Sequence, residues 1–380
     1  MVSGRDLKLA ALIVTTCFFF ETVFRGGRHS REPHVPHSEG AAGLKPSHEP
    51  HYVQETRASE RDRGRRASNP LGIPFKGWKD IAWRCYAQIQ DNRLMAVAAG
   101  VVFYILLALF PAVGSLVSLY GLFADPKVLS DHLTHLQAIV PAGGISILED
   151  QFQRLMKTGS GALGLSFLFN LAFSLWSANA GMKAIIDALN VAYDEREKRS
   201  FVRLSLVAFA FTLGALVFFM LAVSAIVALP LIYSTLGLTS GFSKVLFILR
   251  WPIMVAVIVV WLAILYRFGP SRTQARWEWL TVGSVFAAAT WFVMSYLFSW
   301  YLSAFANYDA TYGSLGAAIG LMMWLWLSVI VMLLGAQLNA EIEHQTATDT
   351  TLAPEKPLGA RGAVMADTVG ESWHTVNNRV

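Results

Sequence analysis

The chain has 380 residues, of which 54% are hydrophobic and only 15% charged, with mean hydropathy +0.44, formal net charge +5 and pI about 9.2. Soluble domains carry roughly 25% charged residues, so this composition excludes an ordinary water-soluble enzyme and points to lipid. The lengths of the uncharged runs carry the point further. Leu94–Ala124, Ala162–Met182, Leu204–Ser243, Trp251–Tyr266, Trp279–Phe305 and Gly313–Ala340 contain no Asp, Glu, Lys or Arg. A bilayer core takes about 20 apolar residues as helix. Five runs meet that length unaided; the fourth meets it if the helix starts near Lys244 and carries Arg250 within it. The expected fold class is therefore an all-α polytopic membrane protein with six transmembrane helices, at about 94–124, 162–182, 204–233, 244–266, 279–305 and 313–340, with a disordered N-terminal extension and a disordered C-terminal tail.

Residues 1–24 read as a short apolar leader or an extra anchor. Leu9–Phe20 is an apolar run of twelve after Arg5 and Lys8, short for a span and without a small-residue cleavage pattern. Residues 25–73, rich in His, Pro, Gly, Ser and Arg, read as a disordered basic linker. His29, His34, His37, His48 and His51 lie here at irregular spacing with no Cys among them, which argues against a metal site. Arg61, Arg63, Arg65 and Arg66 form a basic knot suited to anionic headgroups. From 74 to 93 the pattern turns amphipathic. Phe75, Trp78, Ile81, Ala82, Tyr86 and Ile89 recur at three- and four-residue steps, with Lys76, Lys79 and Arg84 at the other positions, and an interfacial helix is predicted.

The membrane domain covers 94–343. In its first span Pro111 is expected to kink or break the helix. Residues 125–161 form a long amphipathic loop, and His132 and His135 within it read as an ordinary wet face. The stretch Trp176 to Arg199 leaves an apolar run carrying Asn179, Lys183, Asp187, Asn190 and Asp194 within about 80° of one another on a helical projection. A polar stripe on an otherwise apolar helix must meet a partner, water or a ligand. Arg250 either snorkels outward or faces a polar interior. Trp277 and Trp279 read as interfacial anchors, and Gly313, Gly316 and Gly320 as close helix contacts. Residues 344–380 read as a disordered cytoplasmic tail.

Basic residues gather on one side. Residues 25–93 hold thirteen Lys/Arg against eight Asp/Glu, Arg196, Lys198, Arg199 and Arg203 follow the second span, and Arg267, Arg272 and Arg276 follow the fourth. By the positive-inside rule both ends of the six-helix domain are cytoplasmic. Cys17 and Cys85 both precede the first main span, so no extracytoplasmic disulfide framework is expected.

Catalytic patterns are wanting. There is no phosphate-binding G-x-x-x-x-G-K-[ST] loop and no H-E-x-x-H, and the spans hold neither His nor Cys. No enzyme activity, cofactor, metal or nucleic-acid partner is expected. The candidate polar path or packing seam comprises Asn170, Asn179, Lys183, Asp187, Asn190, Arg250, Tyr312 and Gln337, with membrane lipids as partners and homo-oligomerisation left open. Two readings compete, a transporter or flippase-like protein for a lipid or other amphipathic substrate and a non-catalytic membrane scaffold; a membrane-tethered ribonuclease is a remote third.

Five stretches together carry a family resemblance: FYILLALFPA (103–112), the polar stretch at 176–199, LYRFGPSR (265–272), YDATYGSLGA (308–317) and LLGAQLNAEIE (333–343). The chain resembles the YihY/BrkB family of bacterial inner-membrane proteins, once labelled ribonuclease BN. The resemblance implies a six-span protein of the inner (plasma) membrane with cytoplasmic termini and a link to envelope integrity or serum resistance. It does not extend to the long N-terminal extension.

Overall fold

The computed structural model describes residues 51–123, 160–236, 240–305, 314–352 and 354–373, all within the compact unit Pro46–Val380. The leader, most of the histidine-rich segment, the loop at 125–161 with His132 and His135, and Tyr312 lie outside the described residues.

The described residues are helical. A short helix α1 (His51–Ala58) leads through a 3₁₀ turn at Pro70–Gly72 to α2 (Phe75–Asp91). The turn is capped by Asn69, whose side chain accepts from the Gly72 amide at 2.9 Å, and Pro74, extended at φ −70°, starts α2. Six long helices follow: α3 (Leu94–Phe123), α4 (Ser160–Ala192), α5 (Phe201–Leu236), α6 (Ser240–Phe268), α7 (Trp277–Phe305) and α8 (Ser314–Gln345), of 29 to 36 residues each. At about 1.5 Å per residue even the shortest exceeds the roughly 30 Å of a bilayer core. Phe201–Phe218, Trp277–Leu302 and Ala318–Gln345 are long and apolar enough to cross a membrane, and a fourth such unit arises if α2 and the first part of α3, bent by 61°, count as one broken span. Arg93 makes that bend with a left-handed backbone, φ 47°. α3 continues through Pro111 as helix, so the expected break there is absent. The helix can do without one amide bond because neighbouring helices and local adjustment compensate in an apolar setting.

The main core runs between α3 and α4, around Val101, Val102, Met182, Ile186 and Leu189, and on into α6, α7 and α8 through Tyr266, Leu280, Ala287, Leu333 and Ala336. At Gly181 the two helices lie in contact, since a β-carbon there would sit 3.5 Å from that of Tyr104, an ordinary van der Waals distance. The closest approach joins α7 and α8, where a β-carbon on Gly335 would lie 2.7 Å from that of Ala287 and 2.7 Å from the Gly283 carbonyl. Tryptophans of these two helices bond across them, Trp291 to Ser328 at 2.9 Å and Trp324 to Ser295 at 3.1 Å. The outward faces are apolar as well: Phe103, Leu168, Leu216, Val260, Val293 and Tyr296 are exposed, the inverse of a soluble bundle and suited to lipid.

Both flanks depart from the disorder expected of them. Within 25–73, Arg57 and Arg65 are buried, and Ala67 and Ile73 join Ile81, Trp279 and Ile342 in a second small core. Trp279 is thus a core residue, and only Trp277 of the two expected anchors is exposed. Residues 346–352 and 354–373 fold back across the same end of the bundle. The Arg276 amide bonds Thr350 O at 2.9 Å, the Leu352 amide bonds Gln274 O at 3.1 Å, and Ala275 and Thr351 form an antiparallel bridge. Arg361 donates to the carbonyls of Ala347 and Ala366, while the Asp367 carboxylate accepts the amides of Arg361 and Gly362. A one-turn helix α9 (Val364–Asp367) buries Met365 and Ala366. Ordering here comes from side chains that satisfy backbone groups, which leaves no apolar period in the sequence to see.

Candidate functional site: a buried ion network at the polar end

The predicted stripe does not converge on one site. Asn170 is half-buried. Lys183 is also half-buried, its Nζ 4.5 Å from the centre of the Phe201 ring, and Asp187 is exposed. Arg250 lies within α6, with its side chain outside the described residues. Asn190, 2% exposed, accepts the Ser271 amide at 2.7 Å and donates to Glu197 at 3.0 Å, tying the end of α4 to two neighbouring turns. Gln337, fully buried on α8, donates to Glu341 at 3.3 Å and accepts from Asn92 at 3.4 Å. Asn190 and Gln337 therefore act as fasteners of the polar end. Asn179 differs: its Oδ1, like the hydroxyl of nearby Ser177, is buried without a hydrogen-bond partner.

What gathers at the polar end is a set of charges that the sequence reading left at helix margins. Arg84, expected on the outward face of an interfacial helix, is buried, donating through Nε to Glu341 at 2.6 Å and through Nη2 to Gln345 at 2.7 Å. Its helix buries that face because α8 and the folded tail cover it, not headgroups. Arg272 bonds Glu343 at 2.7 Å with both side chains fully buried, and its guanidinium stacks 4.4 Å over Tyr193. Burial works against the Arg272 charge, but Glu343 and then Tyr193 outweigh it and hold its pKa above the ordinary value. Arg65, 1% exposed, donates to Glu60 at 2.7 Å and to the Gly370 carbonyl at 2.7 Å. Glu195 accepts the Val364 amide at 2.8 Å, so tail, α4 turn and α8 are joined in one network.

Replacing such pairs with apolar residues is often neutral, so their contribution is one of register: each charge has one place where it is neutralised. The carboxylates are held by arginines and are not free bases. Among the described residues no group of three or more His, Cys, Asp or Glu is placed to hold a metal ion. Near Asn190, a cavity of about 10 Å³ lined by Asn92, Leu94, Val97, Ala188, Val191 and Leu333 offers room for about one water. The signal for the network was in the sequence: two carboxylates closing the apolar run of α8 need counter-ions, and Arg272 stood within a stretch that carries the resemblance and Arg84 within the predicted amphipathic helix.

Long apolar helices with apolar outward faces, closed at one end by a buried ion network, define an integral membrane protein. The family model of virulence factor BrkB matches residues 85–359, and the chain belongs to that family, in agreement with the resemblance to YihY/BrkB. The chain is similar to the ribonuclease-like protein YfkH of Bacillus subtilis, with 34% identity over 251 residues, covering 64% of this chain and 88% of that one. It is similar also to a UPF0761 membrane protein of Vibrio vulnificus, with 26% identity over 75% of this chain and 91% of the other. A UPF0761 membrane protein of Idiomarina loihiensis is 29% identical over 48% of this chain and 61% of its own length. No solved structure matches.

Proposed function

We propose that this is a six-span protein of the bacterial inner membrane, with both ends of its helical domain on the cytoplasmic side, that accommodates or moves an amphipathic substrate, a lipid. Six helices of 29 to 36 residues and the basic turns on one side support the topology. The observation that carries the transport reading is the pair Ser177 and Asn179. Two other buried helix hydroxyls close on their own helix, Thr212 on Ala208 O and Ser284 on Leu280 O, while the Tyr193 hydroxyl at the polar end is unmet. Ser177 Oγ and Asn179 Oδ1 close on nothing. An unmet buried polar atom costs about 1–3 kcal/mol, a cost that substrate or water entering the α4 seam would remove.

A second reading, a non-transporting scaffold, is favoured by the saturated bonds of Asn190 and Gln337. Reconstitution separates the two. Purified protein in liposomes is expected to translocate labelled lipid, and Ser177→Ala with Asn179→Leu to slow it without lowering thermal stability. Wild-type protein inert toward a broad lipid and solute panel would favour the scaffold. We read the chain as a non-enzyme; metal-dependent RNA cleavage by purified protein, lost on removing one carboxylate, would overturn that.

A further inference from the structure

We infer that the guanidinium of Arg267, with Trp277 and Phe268 against it, forms a headgroup site for an anionic phospholipid at the rim of the bundle. Arg267 ends α6 and is 7% exposed, yet its Nε and Nη1 are buried with no hydrogen-bond partner. Other buried arginines have an acceptor: Arg57 has Val369 O and Glu371, Arg65 has Glu60, Arg84 has Glu341, and Arg361 has the carbonyls of Ala347 and Ala366. Arg272 also leaves Nε and Nη1 unmet, but its charge is neutralised by Glu343 at 2.7 Å, and among the described residues no ion pair of that kind holds Arg267. The carbonyls next to Arg267 in the chain each accept another donor. Arg199 donates to Phe268 O at 3.4 Å and to Gly269 O at 2.7 Å, and the Leu265 carbonyl accepts the Gly269 amide at 2.8 Å. The negative end of the α6 dipole favours a cation here but meets none of its N–H groups.

The cover over those groups is aromatic and itself on the surface. The Arg267 guanidinium lies 4.2 Å from the Trp277 ring centre and 5.5 Å from that of Phe268, and these residues are 47% and 40% exposed. Stacking uses the face of the guanidinium and leaves the N–H groups of its edge, among them the unpartnered Nε and Nη1, for a tetrahedral oxyanion. Amphipathic rings at the end of apolar helices sit at headgroup depth, where phosphate is the abundant oxyanion and acyl chains lie beside the rings. Phosphate chemistry alone would admit a free anion too; the exposed aromatic flanks select the lipid. The inference rests on the membrane placement of α6 and α7 and not on translocation, so either can fail without the other.

The test uses the full chain in non-ionic detergent, with short-chain phosphatidylglycerol, phosphatidylcholine of the same chains, and inorganic phosphate as probes. Wild type is expected to prefer phosphatidylglycerol by roughly tenfold or more. Arg267→Ala should abolish the preference, Arg267→Lys should keep part of it, and Arg203→Ala, which removes an exposed arginine at the same end, should leave it intact. Excess inorganic phosphate should not displace the lipid. An unchanged preference in Arg267→Ala overturns the site, equal loss in Arg203→Ala reduces it to diffuse charge, and displacement by inorganic phosphate makes the ligand a free anion. Should Arg267→Ala fail to fold, Arg267→Lys and Trp277→Ala carry the test: a preference undiminished in both overturns it.

Discussion

Glu341 and Glu343 stand two residues apart on α8 and are clamped from two different sides, Glu341 by Arg84 of α2 and Glu343 by Arg272 of the turn between α6 and α7. Two residues along a helix turn the side chain by about 200°, so one helix end is gripped between two elements that do not otherwise need to meet there. The last helix is thereby fixed in rotation as well as in depth.

Removing one member of a pair leaves a buried charge unmatched. Glu343→Gln is expected to destabilise the protein by about 3–5 kcal/mol, and the double replacement Arg272→Met with Glu343→Leu to recover most of that. Thermal unfolding in detergent, arranged as a double-mutant cycle, checks it; a double variant that loses the sum of the two single losses would mean the residues do not act as a pair.

The α7–α8 contact depends on two residues that have no side chain. Gly335→Ala places a β-carbon 2.7 Å from Ala287 and from the Tyr266 hydroxyl, and overpacking of this kind costs about 1–3 kcal/mol. Gly320→Ala, with its nearest neighbour 3.8 Å away at Leu302, should be neutral, and comparing the two melting temperatures separates close packing from glycine content.

The folded tail predicts a proteolysis pattern. Residues 354–373 should resist limited digestion in the wild type, and Arg361→Ala should raise the cleavage rate there by roughly tenfold or more as the carbonyls of Ala347 and Ala366 lose their donor. Cleavage of the wild-type segment as fast as of the variant would return it to a disordered tail.

Acid should loosen the turn after α4. Burial raises the Glu197 pKa, but hydrogen bonds from Arg199 and Asn190, with the Arg199 charge, outweigh this and bring it from 4.5 down to about 2. A depressed folded pKa stabilises above the unfolded value, and the contribution fades as pH falls from about 4.5 through about 2. Glu197→Gln should therefore show a shallower loss of melting temperature across that window than the wild type; parallel curves would discount the network around Glu197.

Membrane class, helix positions and the boundary between α2 and α3 were legible because apolar runs and three- and four-residue steps are local properties of the chain. The polar stripe was legible as a pattern but not as a site. Asp187 is exposed, Asn190 is locked to Ser271 and Glu197, and Lys183 rests on Phe201, partners that come from other turns and helices.

By itself, then, the sequence determined that this chain is a bundle of long apolar helices with its basic turns gathered on one side, because hydrophobicity and charge are summed residue by residue. Only the tertiary structure decided that Arg84 turns inward to Glu341, that Arg272 reaches Glu343, that Trp279 is core while Trp277 covers Arg267, and that residues 346–352 and 354–373 are folded. Arg84 and Arg65 find their partners 257 and 305 positions away and Arg272 finds Glu343 71 positions away, and that pairing is set by how helix ends meet, which no local period records.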